Sequence, residues 1–429
     1  MVCRGDAVTR IAPNRRAVLA GLAAVPFAPA LSRAATGNHV VVVGGGFGGA
    51  SLARMLRRLD PATRVSLVER EAVFHTCPLS NGVLGGLWTL DRIAFGYDGL
   101  RAAGVEVIRD TVAAVDPDTR SVALHDGGTL SGDILVLAPG IQFDWAGIEG
   151  LSPETAEAMP HAWKAGPQTQ LLRDQLVAME DGGTVVIGVP RPPFRCPPGP
   201  YERACLIAHY LKAEKPASKI LILDAQDGFS KQGLFEEAWA ALYPGMIERI
   251  PGSQSGAVLS VDPAKMRVST GFDDVTAAVA NIIPPQKAAQ ILIDAGLDDG
   301  LGWCPVDPVS FESTLARDVY ILGDAALAGD MPKSGFSANV QAKVAALAIL
   351  ARLQGAAPGS AKLINVCYSL AAPDYGFSIA DVFRQDPQKI TLMQSEGRTT
   401  EIGASADVHT REARNDRSWF DTITSEIWG

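Results

Sequence analysis

The sequence predicts an α/β protein of two three-layer domains with a small C-terminal domain, and three stretches carry that prediction. Residues 40–43 (VVVV) have no polar alternation, as expected of a strand buried on both faces of a parallel sheet, and they run directly into Gly44-x-Gly46-x-x-Gly49. Val319-Tyr-Ile-Leu-Gly-Asp324 is a second buried strand that ends in a glycine and a carboxylate. Between these two, Gly183-Thr-Val-Val-Ile-Gly188 and Ile220-Leu-Ile-Leu-Asp224 supply another pair of neighbouring strands. The pattern is that of two Rossmann-like domains of the FAD/NAD(P) type, the second lying between the halves of the first.

Taken in order, residues 1–34 read as an export signal rather than as part of the fold. Arg15-Arg16 precede an apolar stretch, residues 17–30, that is too short to span a bilayer and contains Pro26 and Pro29. The paired arginines favour the twin-arginine route over an ordinary secretory one, and so a periplasmic protein exported already folded around its cofactor. Cleavage near Ala34 satisfies the small-residue rule.

The chain is 47% hydrophobic and 20% charged, with a formal charge of −9, and the signal holds five arginines against one aspartate. The exported remainder is therefore more acidic still. Nucleic acid is not implied, and an acidic surface suits a partner with a basic face. Downstream of the signal stand Cys77, Cys196, Cys205, Cys304 and Cys367, an odd number, so at least one is free or otherwise bonded. None lies in a CxxC pair and CxxCH is missing, so neither a metal site nor a haem is expected in this chain.

The first domain is expected over 35–145 and 286–355. Gly44, Gly46 and Gly49 let the chain turn tightly and bring backbone N–H groups against a dinucleotide pyrophosphate at the positive end of the next helix. Glu69 ends the following strand, where a carboxylate accepts hydrogen bonds from both hydroxyls of an adenosine ribose. Residues 74–81 (FHTCPLSN) are expected to loop over the same cofactor. Cys77 in that loop reads equally as a covalent tether to a flavin, a charge-transfer partner, or a small buried residue. Residues 105–108 are expected to open a small antiparallel insertion, continued by 113–115 and 121–124 around the Asp116-Pro117-Asp118 turn. Residues 133–140 return to the sheet, and the strand ending at Asp324 completes it. Asp324 is placed to accept a hydrogen bond from a ribityl chain, and the helix after Pro332-Lys333-Ser334-Gly335 to direct its N-terminus at a flavin pyrimidine.

The second domain, 146–285, keeps the strands but lacks the fingerprint. Where an NAD(P) domain places GxGxxG, this chain reads Gly188-Val-Pro-Arg-Pro-Pro-Phe-Arg-Cys196-Pro-Pro-Gly-Pro-Tyr-Glu202. Prolines remove N–H donors and stiffen the loop where a pyrophosphate needs open amides, so nicotinamide is not the expected redox partner. A proline-framed cysteine takes its place. The C-terminal domain, 356–429, carries Tyr368, Tyr375, Phe377, Trp419, Phe420 and Trp428 and is expected to close the far side of the flavin. Residues 412–428 are mixed in charge and interrupted, unlike a membrane-binding amphipathic helix, so a soluble partner is expected rather than membrane insertion.

Residues 38–429 resemble the flavoprotein subunit of flavocytochrome c sulfide dehydrogenase, a relative of the sulfide:quinone oxidoreductases and of glutathione reductase-like flavoproteins. The most specific stretches are Phe194-Arg-Cys-Pro-Pro-Gly-Pro-Tyr-Glu-Arg203, Gly302-Trp-Cys-Pro-Val-Asp307, Met331-Pro-Lys-Ser-Gly335 and Asn365-Val-Cys-Tyr-Ser369. The resemblance implies FAD attached through its 8α-methyl group to the sulfur of Cys77, and a redox-active disulfide of Cys196 with Cys367 against the flavin. It also implies sulfide as the electron donor and a c-type cytochrome subunit as the acceptor. Hydrosulfide attack on such a disulfide leaves a persulfide on one cysteine and a thiolate on the other, and two electrons then pass to FAD. Glu202 is the candidate to manage protons near Cys196. Cys205 and Cys304 read as buried fillers, and Trp163 and Trp303 as core or domain-contact residues. A sulfide:quinone oxidoreductase, or an accessory flavoprotein that reactivates a sulfur-oxidation complex, are the alternative functions.

Overall fold

A five-stranded parallel sheet organises the first domain in the computed structural model, which describes residues 37–429; the expected export signal lies outside the described residues. Its order is Val319–Ile321, Ile134–Leu137, His39–Val43, Arg64–Val68 and Glu106–Ile108. The central place of His39–Val43 explains its unbroken apolar run, because Val40, Val41 and Val42 are fully buried with side chains on both faces of the sheet. Helix Phe47–Leu59 leaves this strand through the glycine turn and packs against helix Gly335–Leu353, whose Ala338, Ala342, Ala345 and Ala346 let the two approach closely.

Residues 105–108 depart from the expected antiparallel insertion. Glu106–Ile108 instead extends the parallel sheet at its edge, with Ser66 opposite Glu106 and Val68 opposite Ile108. The connection decides this: helix Asp98–Ala102 lies between the two strands, and a helical crossover delivers a parallel neighbour where a hairpin would deliver an antiparallel one. The antiparallel insertion consists of Val112–Asp116, Ser121–Leu124 and Thr129–Ser131.

The second domain is a four-stranded parallel sheet in the order Ile247–Ile250, Lys219–Asp224, Thr184–Val189 and Val279–Ile282. The chain enters and leaves it through the antiparallel pair Ile141–Phe143 and Gln286–Ala288. Helix Gly199–Glu214 begins directly after the proline-framed Cys196 segment, with proline in its first turn where a missing N–H costs nothing.

The C-terminal domain is a long hairpin, Lys362–Ala372 with Tyr375–Gln385, extended by Ile390–Leu392 and Arg398–Thr399 and followed by helix Ala406–Trp428. The helix is continuous over 23 residues, where its mixed charge suggested an interruption. Its reason is a narrow stripe: His409, Ala413, Asp416, Phe420, Ile423 and Ile427 recur at three and four residues and are buried, while charged residues occupy the remaining surface. The helix ends in the first domain. There the Trp428 ring stacks on Phe74 and Phe95, each with centroids 5.2 Å away, and meets Phe47 edge-on at 5.3 Å.

Candidate functional site

The glycine turn after His39–Val43 is built for close approach. Gly44 has φ +95°, and a Cβ there would strike the Ala138 carbonyl, while one on Gly49 would strike the carbonyl of Gly44. Helix Phe47–Leu59 starts at Gly46 with no side-chain cap and no acidic residue in its first turn, so its leading N–H groups remain open to an anion. The Glu69 carboxylate accepts from the Gly45 N–H at 2.6 Å and the Glu71 N–H at 2.9 Å, which fixes it beside the same turn. Across the sheet, the Asp324 carboxylate accepts no hydrogen bond among the described residues and has Arg195 Nη1 at 3.9 Å. Burial pushes the Asp324 carboxyl above its usual range, with Arg195 and Lys333 opposing. An uncapped helix start, a fixed carboxylate beside it and an acceptor still seeking a hydroxyl donor form the set that FAD needs for its phosphates, ribose and ribityl chain. The residues present fit that cofactor.

Cys77 and Arg195 meet at one backbone carbonyl, and Arg195 links it to two further expected site residues. The Cys77 thiol donates to the Trp163 carbonyl at 3.5 Å, and Arg195 Nη2 donates to the same oxygen. Arg195 in turn faces Asp324 and precedes Cys196 in sequence. Cys196 is held with φ +54° between two backbone hydrogen bonds: its N–H donates to the Lys333 carbonyl and its carbonyl accepts from the Gly199 N–H, both at 2.8 Å. A Cβ on Gly199 would lie 3.0 Å from the Cys196 sulfur and 2.7 Å from the Trp163 ring, so glycine here leaves room for both. Lys333 also donates to the carbonyls of Asp324 and Ala326 at 2.7 and 2.9 Å and lies 3.9 Å from the centre of the Trp303 ring. Burial lowers its ammonium to about 8.

Cys367 arrives on strand Lys362–Ala372, two residues after Asn365. Asn365 Oδ1 accepts from Ser334 Oγ at 2.7 Å and Ser337 Oγ at 3.1 Å, which ties this strand to the start of helix Gly335–Leu353. Lys231 Nζ lies 3.6 Å from Cys367 Sγ. Glu202, in the first turn of its helix, accepts from the Leu370 N–H at 2.9 Å and from Asn81 Nδ2 at 2.8 Å. Burial raises its carboxyl against the pull of these bonds, Lys231 and Arg203. Burial also raises both thiols; at Cys196 the neighbouring Cys367, Glu202 and Cys77 add to the effect, whereas at Cys367 the first influence after burial is Lys231, which opposes it. All five described cysteines are free thiols, so the bond that the resemblance implies between Cys196 and Cys367 is not formed here. Cys205 and Cys304 are fully buried, and the Cys205 sulfur accepts from Trp239 Nε1 at 3.1 Å.

Beneath the thiols lies Arg203, 1% exposed, which donates to Asn81 Oδ1 at 3.0 Å, Asn281 Oδ1 at 2.8 Å and the carbonyls of His161 and Ala162 at 3.0 and 2.6 Å. Its guanidinium is also 4.8 Å from the centre of the Trp163 ring. His161 accepts from the Trp163 N–H at 2.9 Å, and burial with Arg203 beside it lowers its imidazole to about 3, so it stays neutral. Sequence reasoning gives no role to Lys231, Asn81, Arg203 or Asp416, although Asn81 and Arg203 close two of the stretches it singles out. Asp416 leaves a signal of its own, a charge on the apolar stripe of the last helix.

Residues 38–188 match the family described as pyridine nucleotide-disulphide oxidoreductase. Residues 169–284 match sulfide dehydrogenase (flavocytochrome c) flavoprotein chain, central, and residues 360–428 match flavocytochrome c sulphide dehydrogenase, flavin-binding. The sulfide dehydrogenase (flavocytochrome c) flavoprotein chain of Chlorobaculum thiosulfatiphilum is 66% identical over 46 residues, which are 11% of this chain and 96% of that one. The mitochondrial sulfide:quinone oxidoreductase of Mus musculus is 24% identical over 331 residues, 71% of this chain and 69% of that one. In fold, the sulfide:quinone oxidoreductase structure from Aquifex aeolicus superimposes with a TM-score of 0.66 at 19% identity, covering 91% of this chain and 92% of its own. Each of the three family matches contains one of the three clustered cysteines, Cys77, Cys196 and Cys367. The chain belongs to the flavocytochrome c sulfide dehydrogenase flavoprotein family and is a flavin-dependent oxidoreductase.

Proposed function

We propose that this chain is the periplasmic flavoprotein subunit of a sulfide dehydrogenase, which oxidises sulfide at Cys196 and Cys367 and passes the electrons by way of FAD to a c-type cytochrome. One observation carries the reading. The two oxygens of Glu202 join the helix that follows Cys196, the Asn81 segment that follows Cys77, and the strand that bears Cys367, so a single carboxyl positions all three sulfur-bearing segments.

The Gly44, Gly46 and Gly49 turn would hold the pyrophosphate, Glu69 the adenosine ribose, Asp324 the ribityl chain, and Cys77 a covalent thioether to the flavin ring. Bound there, FAD supplies an acceptor for an electron pair that can be passed on one electron at a time. The chain's own residues handle the sulfur. With Cys196 and Cys367 oxidised to a disulfide, hydrosulfide attacks Cys196; a sulfur–sulfur bond forms to the substrate, the bond between the cysteines breaks, and its electron pair leaves on Cys367 as thiolate. Lys231 decides the direction, because its ammonium stabilises charge on Cys367 and makes that sulfur the better leaving group. Glu202 takes the proton of the persulfide formed on Cys196.

The Arg15-Arg16 pair before a short apolar stretch, read as a twin-arginine signal, supports the periplasmic assignment. The last helix supports a soluble acceptor: its apolar stripe is spent against the hairpin and the first domain, and none of the large exposed apolar side chains among the described residues lies on it. The test is sulfide-dependent reduction of a c-type cytochrome by the exported holoprotein, with a short-chain quinone offered in parallel. Cytochrome reduction is the expected result. Reduction of the quinone alone would make the chain a sulfide:quinone oxidoreductase, and turnover with neither, together with co-purification of a sulfur-carrier complex, would make it accessory.

A further inference from the structure

Glu202 and Arg203 follow one another on a single helix, and they meet through an amide from another segment. Asn81, four residues after Cys77 and 6% exposed, donates from Nδ2 to Glu202 Oε2 at 2.8 Å and accepts at Oδ1 from Arg203 Nε at 3.0 Å. An arginine side chain offers donors only, so the amide oxygen must face Arg203, and the NH2 group is left to face two acceptors, Glu202 Oε2 and the Gly199 carbonyl at 3.2 Å. A flipped amide would set N–H against N–H at one end and oxygen against oxygen at the other. Arg203 is not free to swing away and permit that, because the carbonyls of His161 and Ala162 and the Asn281 side chain hold its remaining nitrogens. With the Leu370 N–H on Oε1 at 2.9 Å, each oxygen of Glu202 has an N–H donor, the arrangement that favours a carboxylate over its acid.

We propose that Asn81 is a positioning residue that acts through Glu202: locked by Arg203, its amide holds that carboxyl in place and ionised, ready to take the proton of the persulfide on Cys196. The inference rests on the proton-accepting role proposed for Glu202 in the sulfide chemistry of the same site. Burial pushes the Glu202 carboxyl up, and the bonds from Leu370 and Asn81 are the first influences that oppose it. The other charged or titratable groups about Glu202 are Arg203 on its own helix, Lys231, Asp416 on the last helix, and the thiols of Cys196, Cys205 and Cys367. A substitution at position 81 leaves all of them in the chain. The proton step balances: the persulfide S–H bond breaks, its electron pair stays on sulfur, and the proton bonds to a Glu202 oxygen, while Asn81 and Leu370 keep their own protons.

The test reverses donor and acceptor. Asn81→Asp keeps an oxygen for Arg203 but sets a second carboxyl beside Glu202 Oε2, so the two share a proton and Glu202 regains its charge only at higher pH. Flavin bleaching by anaerobic sulfide is followed in both holoproteins as a function of pH; the ionisation of sulfide is common to both and cancels in the ratio of their rates. The ratio of wild type to variant is expected to reach at least about tenfold near neutral pH, the effect of a titration displaced by one unit, and to fall toward one as pH rises. A ratio flat with pH would overturn the proposal, because lost packing alone slows the reaction alike at every pH. Adding Glu202→Gln to Asn81→Asp restores one donor and one acceptor in reversed order, and the double variant should melt above Asn81→Asp; no gain in melting temperature would overturn the contact. A third measurement needs no variant: infrared spectra of the wild type with carboxyl-labelled glutamate should show no protonated carboxyl at neutral pH, and such a band would overturn the proposal as well. A wild type whose flavin sulfide never bleaches would overturn the sulfide reading itself and, with it, the purpose given to Asn81.

Discussion

The Lys231 ammonium lies 3.6 Å from the Cys367 sulfur while donating to the Cys367 carbonyl and to Ser369 Oγ, both at 2.8 Å. Lys231 has φ +63° at the start of helix Gln232–Leu242, a left-handed backbone that a lysine rarely adopts, so the side chain is aimed by the fold rather than left to swing. The two sulfurs are thereby made unequal. Lys231 opposes the upward push on both thiols, but it lies within reach of the Cys367 sulfur and makes no such contact with that of Cys196.

Lys231→Met should remove that inequality. A hydrogen bond to a charged group contributes about 1.5–3 kcal/mol, so sulfide-driven bleaching should slow roughly ten- to a hundredfold at neutral pH. Alkylation of Cys367, followed by mass spectrometry in the reduced protein, should shift to higher pH in the variant, while alkylation of Cys196 should move little. An unchanged Cys367 profile would remove Lys231 from the account.

Cys77→Ser should retain FAD in the native protein and release it on denaturation. In their proposed roles the Gly44, Gly46 and Gly49 turn, Glu69 and Asp324 would still hold the cofactor non-covalently. Wild-type protein precipitated with acid should keep its flavin in the pellet. Free flavin from both proteins would show that Cys77 is a thiol neighbour and not a tether.

The two parallel sheets are legible because buried strands and a glycine turn are local patterns: Gly44, Gly46, Glu69 and Asp324 follow strand ends, and Gly49 lies in the first turn of the helix after the turn. Residues 105–108 misled because a short strand followed closely by another resembles a hairpin, and only the short helix before it, Asp98–Ala102, reveals the crossover. The chamber around the thiols was less legible. Asn81, Lys231 and Arg203 reach it from separate segments and owe their roles to tertiary contacts that no local period encodes. Asp416 broke its own helix stripe, which was a readable sign.

Gly49→Ala should destabilise the protein and empty it of flavin together. Its new Cβ would strike the Gly44 carbonyl, backbone that cannot step aside without opening the turn. Overpacking of this kind costs about 1–3 kcal/mol. Thermal unfolding and the ratio of flavin to protein absorbance check it; full flavin content at unchanged stability would contradict the placement of the turn.

Asp416→Asn should be the more stable protein at alkaline pH. The carboxyl holds its proton up to about 8 when folded but only to its ordinary 3.8 when unfolded, so between those values the folded state binds more protons. Wild-type stability therefore falls as pH rises across that window, and the asparagine variant escapes the loss. The difference in melting temperature should widen from roughly pH 5 to roughly pH 9. A difference that narrows would mean that the carboxyl is not buried as described.

The central claim is that sulfide reduces the bound flavin through Cys196 and Cys367. Its most direct test is the flavin absorbance of the oxidised holoprotein during addition of sulfide without oxygen, beside the same titration of Cys367→Ser. Bleaching in the wild type with none in the variant is the predicted result. An oxidised flavin spectrum that sulfide leaves unchanged in the wild type, or equal bleaching in the two proteins, would contradict the account.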